Sequence, residues 1–286
     1  MGGLWYTEQW SPSTRFAIKV SKQLHSEKTP FQQLDVYESA DYGRFFSLDG
    51  YIMITQKDEF VYHDMIVHPA LATNPAIRNV LVIGGGDGGT VRELLRYKSI
   101  DRIDMVELDE RVVRVCQQYF PETSSGLTDP RVNLIFADGL KYVSESKTIY
   151  DLIIVDSTDP IGPGEGLFSH EFYQNCFRVL SDDGILVNQN ESPYYERNRV
   201  ELKRAYSKIK DLFPIALAYQ FHIPTYASGH WLFGFASKKL HPLKDAKLAE
   251  WQALGLTTKY YNTKVHAGAF ALPNYVLAIL NEKADA

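Results

Sequence analysis

Hydrophobic and polar residues change rhythm once along the chain, near residue 58. Before that point the period is two. Phe16, Ile18 and Val20 alternate with polar neighbours, and Phe31, Gln33 and, displaced by one, Leu34 and Val36 do so less regularly. Asp41-Tyr42-Gly43 and Asp49-Gly50 punctuate the run, the second a strong two-residue hairpin signal. Residues 1–57 therefore read as a small antiparallel β domain. It cannot bury much alone, so it packs on the rest of the chain or on a partner subunit. A helix starts at Asp58, with acids in its first turn, and Asn74-Pro75 closes it. Strands at 80–83, 102–108, 132–136, 152–155 and 184–188 then alternate with helices, the clearest at 90–97 and 112–120. Over 58–286 this predicts an α/β fold, a Rossmann-like, doubly wound and mostly parallel sheet with right-handed crossovers.

The turn after the first of these strands lies in NVLVIGGGDGGTVREL, residues 79–94. Glycine is needed where the chain turns tightly and a ligand approaches bare backbone. The helix opening after Gly89 directs unpaired N–H groups at that ligand. Gly84, Gly86 and Gly89 fit a G-x-G-x-x-G nucleotide fingerprint, and Glu107 stands at a suitable distance for ribose hydroxyls. The same pattern also arises for packing alone. Asp87 is the informative residue. A carboxylate inside the loop repels a pyrophosphate and suits a cation, which favours an adenosine carrying positive charge, such as a sulfonium, over a dinucleotide. Capping of the next helix is the structural alternative for this side chain.

Acids stand at the C-terminal ends of four successive strands: Asp87, Glu107, Asp138 and Asp156. That edge of an open α/β sheet is where ligands bind. One such acid is commonly an N-cap, but four facing one crevice repel each other unless something cationic or rich in donors occupies it. Asp156-Ser157-Thr158-Asp159 then runs into a turn stiffened by Pro160 and Pro163. Aspartates in turns often only bond their own backbone. Two carboxylates on a rigid turn beside the glycine loop also suit a primary ammonium, which offers three donors.

Composition narrows the classes further. The chain has 286 residues, 45% apolar and 23% charged, as in an ordinary soluble protein with one large domain and an appendage. A net charge of −5 gives no basic footprint, so no nucleic-acid partner is expected. No run is long enough to span a membrane, and the N-terminus lacks signal-peptide regions, which predicts a cytoplasmic protein. Cys116 and Cys176 lie far apart with no C-x-x-C pattern and read as reduced, buried thiols. His63 and His68 are five residues apart, which turns them about 140° from each other on a helix, so no metal is expected.

In order along the chain, GGGDGG, VELDE, ADG and DSTDPIGPG resemble the spermidine synthase family of polyamine aminopropyltransferases. TPFQQL, DEFVYHDM, HIPTYASG and KYYNTKVHAGAFALP extend the resemblance over nearly the whole chain. The resemblance implies a fold like that of S-adenosylmethionine-dependent methyltransferases. It also implies aminopropyl transfer from decarboxylated S-adenosylmethionine, a co-substrate and not a permanently bound cofactor, to a diamine, usually putrescine, giving methylthioadenosine and a proton. By similarity, Gln32 and Pro163 contact the methylthioadenosine portion above Gly84 and Gly86, Glu107 holds the ribose hydroxyls, and Asp138 with Gly139 holds the adenine. Asp87 binds the amine of the aminopropyl arm. Tyr62, His63, Asp159 and Tyr226 line the diamine channel, with Ser157 and Thr158 on the same turn. Glu8 and Trp10 resemble the pair that meets the far amine, and Asp156 the proton acceptor. The N-terminal sheet resembles the family's oligomerisation element, implying a homodimer or homotetramer.

Gln189 to Tyr195, QNESPYY, departs from the family pattern, which often carries Trp or Phe in place of the tyrosine pair Tyr194-Tyr195. Agmatine, cadaverine or a triamine stay open as acceptors, although the two tyrosines could simply pack; Trp231 reads as core. The nearest rival function is a diamine N-methyltransferase using intact S-adenosylmethionine, whose carboxylate Asp87 would repel. A non-catalytic polyamine-binding protein would lack Asp156 or the loop, and a dinucleotide-dependent dehydrogenase conflicts with the charge at Asp87.

Overall fold

The computed structural model describes residues 3–158 and 166–282. Six strands come first. β1 (Leu4–Ser11) pairs with β2 (Thr14–Val20), and β3 (Lys22–Lys28), β4 (Gln33–Ser39), β5 (Gly43–Leu48) and β6 (Tyr51–Thr55) make an antiparallel sheet. Asp49 and Gly50, at φ 48° and 84°, form the β5–β6 turn that the sequence signals. Phe31, expected in a strand, is exposed ahead of β4. Thr29 closes a turn there, its hydroxyl accepting from the backbone N–H of Phe31 and of Gln32. Leu34, Val36, Phe46 and Leu48 pack on Val112, Val115, Cys116 and Phe120, so the N-terminal sheet covers one flank of the α/β part.

α1 (Glu59–Thr73) follows, then β7 (Asn79–Gly84), α2 (Gly89–Leu94), β8 (Arg102–Glu107), α3 (Glu110–Tyr119), α4 (Pro121–Ser124), β9 (Val132–Phe136) and α5 (Gly139–Glu145). The chain continues through β10 (Tyr150–Asp156), α6 (His170–Val179), β11 (Leu180–Gln189), α7 (Glu196–Leu212), β12 (Ile215–His222) and β13 (His230–Ser237). α8 (Leu248–Ala253), α9 (Thr263–Ala269) and α10 (Asn274–Asn281) complete it. The sheet order is β12-β13-β11-β10-β7-β8-β9, parallel from β11 to β9, with β13 antiparallel to both neighbours. Val80 and Val82 pack into one core cluster and Leu81 and Ile83 into the other. Both faces of β7 are therefore covered, which is why it reads as a continuous apolar run.

Element ends, and two whole strands, differ from those read in the sequence. α2 ends at Leu94 instead of 97, because Tyr97 turns inward and its hydroxyl meets His68 Nδ1 and Trp251 Nε1, at 2.6 and 2.7 Å. β11 starts four residues earlier than 184. β12 and β13, which carry no clean alternation, were not expected; their Tyr219, Phe221, Trp231, Phe233 and Phe235 are buried. Asp58 precedes α1 without capping it. Its buried carboxylate instead takes bonds from Thr55 and Thr225, fixing the start of α1 to the turn that carries Tyr226. Cys116 and Cys176 are buried and free. Among the described residues no helix is long and apolar enough to cross a membrane.

Candidate active site

The strand order reverses between β7 and β10, and a cleft of about 170 Å³ opens at their C-terminal ends. Gly84 stands directly opposite Asp156 in the register, and Gly85 N–H donates to the Asp156 carbonyl at 2.9 Å. A Cβ on Gly84, whose φ is +82°, would lie 2.1 Å from that carbonyl oxygen. One on Gly85 would lie 2.9 Å from Asp156 Oδ2, and one on Gly86 2.9 Å from Glu107 Oε2. The glycines thus leave room for two carboxylates as well as for a ligand.

Asp156 receives a hydroxyl on each oxygen. Tyr62 Oη donates to Oδ1 at 2.7 Å and Thr90 Oγ1 to Oδ2 at 2.6 Å. Burial, followed by the charge of Asp87, raises its pKa, while His63 and the two hydroxyls pull the other way. Asp87 Oδ1 accepts from Gly89 N–H at 2.8 Å, although the N-cap of α2 is Gly88, and it also lies 3.2 Å from His63 Nε2. His63 Nδ1 is 2.6 Å from Glu59 Oε2, and Arg92 grips both oxygens of Glu59. Burial alone would depress the His63 pKa, but Asp87 and Glu59 outweigh it and push it up to about 10. The His63 ring lies against Gly89, where a Cβ would meet it at 2.2 Å.

The other wall holds Gln32, Glu107, Asp138 and Gly139. Burial pushes Glu107 up to about 7, although its Oε1 accepts from Asp109 N–H at 2.9 Å. Gln32 Nε2 donates to Asp109 Oδ2 at 3.1 Å. Asp138 is the N-cap of α5, accepting from Leu140 N–H at 2.8 Å while lining the cleft. Ser157 and Thr158 line it too, and Ser157 Oγ is buried with no hydrogen-bond partner among the described residues. Asp159 and Pro163 lie outside the described residues.

At the far end stand Glu8, Trp10, Tyr51, Tyr226 and Trp231. Glu8 is buried; its Oε1 accepts from Ile52 N–H at 2.7 Å and its Oε2 from Trp10 Nε1 at 2.6 Å. Tyr226 Oη donates to the Met53 carbonyl at 2.6 Å. Trp231, read as core, is buried and also forms part of the cleft wall. Tyr194 is 65% exposed, whereas Tyr195 stacks on Trp10 with ring centres 5.8 Å apart. His68 turns away from His63 toward Glu93 and Asp64. These three bring one ligand atom each within 4.8 Å of one another, but three backbone N–H groups hold Asp64 and two arginines hold Glu93, closing an ion-paired network.

A family model described as the spermine/spermidine synthase domain matches residues 59–247, and one described as the spermidine synthase tetramerisation domain matches 4–56. The chain belongs to the spermine/spermidine synthase family. It is 61% identical over 282 residues to a polyamine aminopropyltransferase of Clostridium beijerinckii, covering 99% of each chain. It is 62% identical over 276 residues to that of Clostridium acetobutylicum, covering 96% of each. A spermidine synthase crystallised with the transition-state analogue AdoDATO superposes with a TM-score of 0.94 at 40% identity, covering 97% of this chain and 94% of that one. The spermidine synthase of Thermotoga maritima gives 0.93 at 39%, covering 98% and 95%.

This synthase-family chain is a transferase, a polyamine aminopropyltransferase. The sequence did not point to Thr90, Glu59, Arg92 or Tyr51 in its cleft and the shell behind it, whereas Gln189, at the head of the QNESPYY stretch, does line the cleft. Only Glu59 had a legible signal: it stands four residues before His63, one turn away on the same helical face. Thr90 sits on α2 just past the glycines, where nothing but the β7–β10 register shows that it reaches Asp156.

Proposed function

We propose that the enzyme transfers the aminopropyl group of decarboxylated S-adenosylmethionine to putrescine, giving spermidine and methylthioadenosine, with Asp156 accepting the proton. The observation that carries this reading is the placement of Asp156: part-buried at the end of β10, raised in pKa, held by two hydroxyls and lining one cleft with Asp87 and the channel aromatics. A base of raised pKa suits proton removal near neutral pH.

In this reading the nucleoside lies over Gly84 and Gly86, with its ribose at Glu107, its adenine at Asp138 and Gly139, and Gln32 against the methylthioadenosine portion. Asp87 binds the propyl ammonium through Oδ2, since among the described residues its contacts with Gly89 N–H and His63 Nε2 fall on Oδ1. The carboxylate of intact S-adenosylmethionine would meet the same acid and be repelled, which disfavours methyl transfer. The diamine lies along Tyr62, His63, Ser157, Thr158 and Tyr226, and its far ammonium reaches Glu8 and Trp10; Asp159 and Pro163 are assigned to the same site by resemblance alone.

The amine nitrogen attacks the propyl carbon bonded to sulfur, the C–S bond breaks with its electron pair going to sulfur, and one proton passes to Asp156. Neutralising an ammonium of pKa 10.4 at pH 7 costs about 4.6 kcal/mol. Surrounding carboxylates raise that cost, while a sulfonium about 4 Å away offsets about 4 kcal/mol at an effective dielectric near 20. In-line positioning supplies the rest of the acceleration. The substrates bring their own charge, so no metal enters this scheme. Residues 1–57 are assigned to self-assembly as a homodimer or homotetramer; Leu4 and Trp5 on β1 are more than half exposed and available to a second copy.

The deciding experiment supplies purified protein with decarboxylated or intact S-adenosylmethionine and a panel of putrescine, cadaverine, agmatine and spermidine, with products identified by mass. Spermidine and methylthioadenosine from the decarboxylated donor are expected; methylated amines from the intact donor would overturn the reading. Preference for an acceptor other than putrescine would keep the reaction and replace its substrate.

A further inference from the structure

We propose that Trp10 limits the length of the acceptor, holding the site to a diamine by walling its channel off from a second hollow on the outer surface; this rests on the aminopropyl-transfer reading above. From Asp156 outward the channel is marked by successive ring contacts. Tyr62 to Tyr226 is 6.1 Å between ring centres, Tyr226 to Trp231 5.1 Å and Trp231 to Trp10 5.9 Å. Beyond Trp10 a more open hollow is lined by Gln9, Ser11, Pro12, Tyr195, Glu196 and Arg197. Among the described residues Trp10 is the one side chain that lines both spaces. It is held on four sides: stacked on Tyr195, edge-on to Tyr51 and Trp231, and bonded through Nε1 to Glu8 Oε2. One pinned indole therefore separates the cleft from the hollow.

A diamine ends with its second ammonium beside Glu8. A triamine of the spermidine type is one aminopropyl unit longer, and that unit would need the volume the indole fills. Close packing leaves no slack for it. With the indole removed the two spaces join, and Glu196 offers the third ammonium a carboxylate while Arg197 opposes it. The reaction on such an acceptor balances as before: the terminal nitrogen bonds to the propyl carbon of the decarboxylated donor, the C–S bond breaks to leave the thioether, and one proton is lost from nitrogen.

Wild-type protein, Trp10→Ala and Trp10→Leu are each assayed with decarboxylated S-adenosylmethionine and either putrescine or spermidine. Products are quantified by mass, and calorimetric binding of methylthioadenosine shows that each variant is folded. Wild type prefers putrescine, and the spermidine-to-putrescine ratio of kcat/KM rises roughly 10–100-fold in the alanine variant and less in the leucine variant. Should the alanine variant not bind methylthioadenosine, the leucine variant decides. An unchanged ratio in a variant that still binds methylthioadenosine overturns the proposal, as does a wild type that uses spermidine as readily as putrescine. A wild type inert toward both amines overturns instead the functional reading beneath it.

Discussion

Tyr62 Oη donates to Asp156 Oδ1 at 2.7 Å, and this bond ties the first turn of α1 to the end of β10 beside the glycine loop. Thr90 completes the arrangement from the other side at 2.6 Å. The carboxylate is thereby fixed in position, with burial and Asp87 holding its pKa up.

Replacing Asp156 by Asn keeps the shape and removes the base. Turnover is expected to fall roughly 10²–10⁴-fold. Methylthioadenosine affinity, read by calorimetry, should change little. Near-normal turnover would remove Asp156 from the role of proton acceptor.

Tyr62→Phe and Thr90→Val each delete one hydroxyl that favours the charged form of Asp156. Losing either raises the carboxyl pKa, and the base works only above that pKa. The acid limb of the pH–rate profile should therefore move upward by roughly one pH unit in each variant. A downward shift would contradict the role given to these bonds.

Asp87 places a carboxylate where the donor's aminopropyl arm is assigned. Asp87→Asn should weaken binding of the decarboxylated donor and relax the exclusion of intact S-adenosylmethionine. The affinity ratio between the two donors is expected to fall roughly tenfold or more. Equilibrium binding of both donors measures it, and an unchanged ratio would place donor selection elsewhere.

Glu59→Gln breaks the chain that runs from Arg92 through Glu59 to His63. The His63 pKa is raised from 6.5 to about 10, so its contribution to stability is full below pH 6.5 and lost as pH rises through 10. For Glu59, burial alone would raise the pKa, but His63 and Arg92 lower it from 4.5 to about 2; its contribution is full above pH 4.5 and lost as pH falls through 2. Both are present between pH 4.5 and 6.5, so the variant should lose most there, about 3 kcal/mol for a broken buried pair. Thermal unfolding across pH 4 to 10 tests this: the wild-type decline above pH 6.5 should flatten in the variant.

The run of strands and helices from 79 to 155 was legible because strands buried on both faces are continuous apolar stretches, and an acid stands at or just past the C-terminal end of each. The four acids, the loop and the DST turn could therefore be assigned to one edge of a sheet before any contact was known. Local order along the chain determined that much, since each feature is complete within a few residues. What only the tertiary structure decided joins segments far apart in the chain. Tyr62 and Thr90 meet Asp156 across 94 and 66 residues, and Trp10 near the start faces Trp231 on a strand that periodicity did not reveal. Such contacts depend on sheet order and register, which arise from how separate elements bury their apolar faces together, and no single stretch of sequence carries that information.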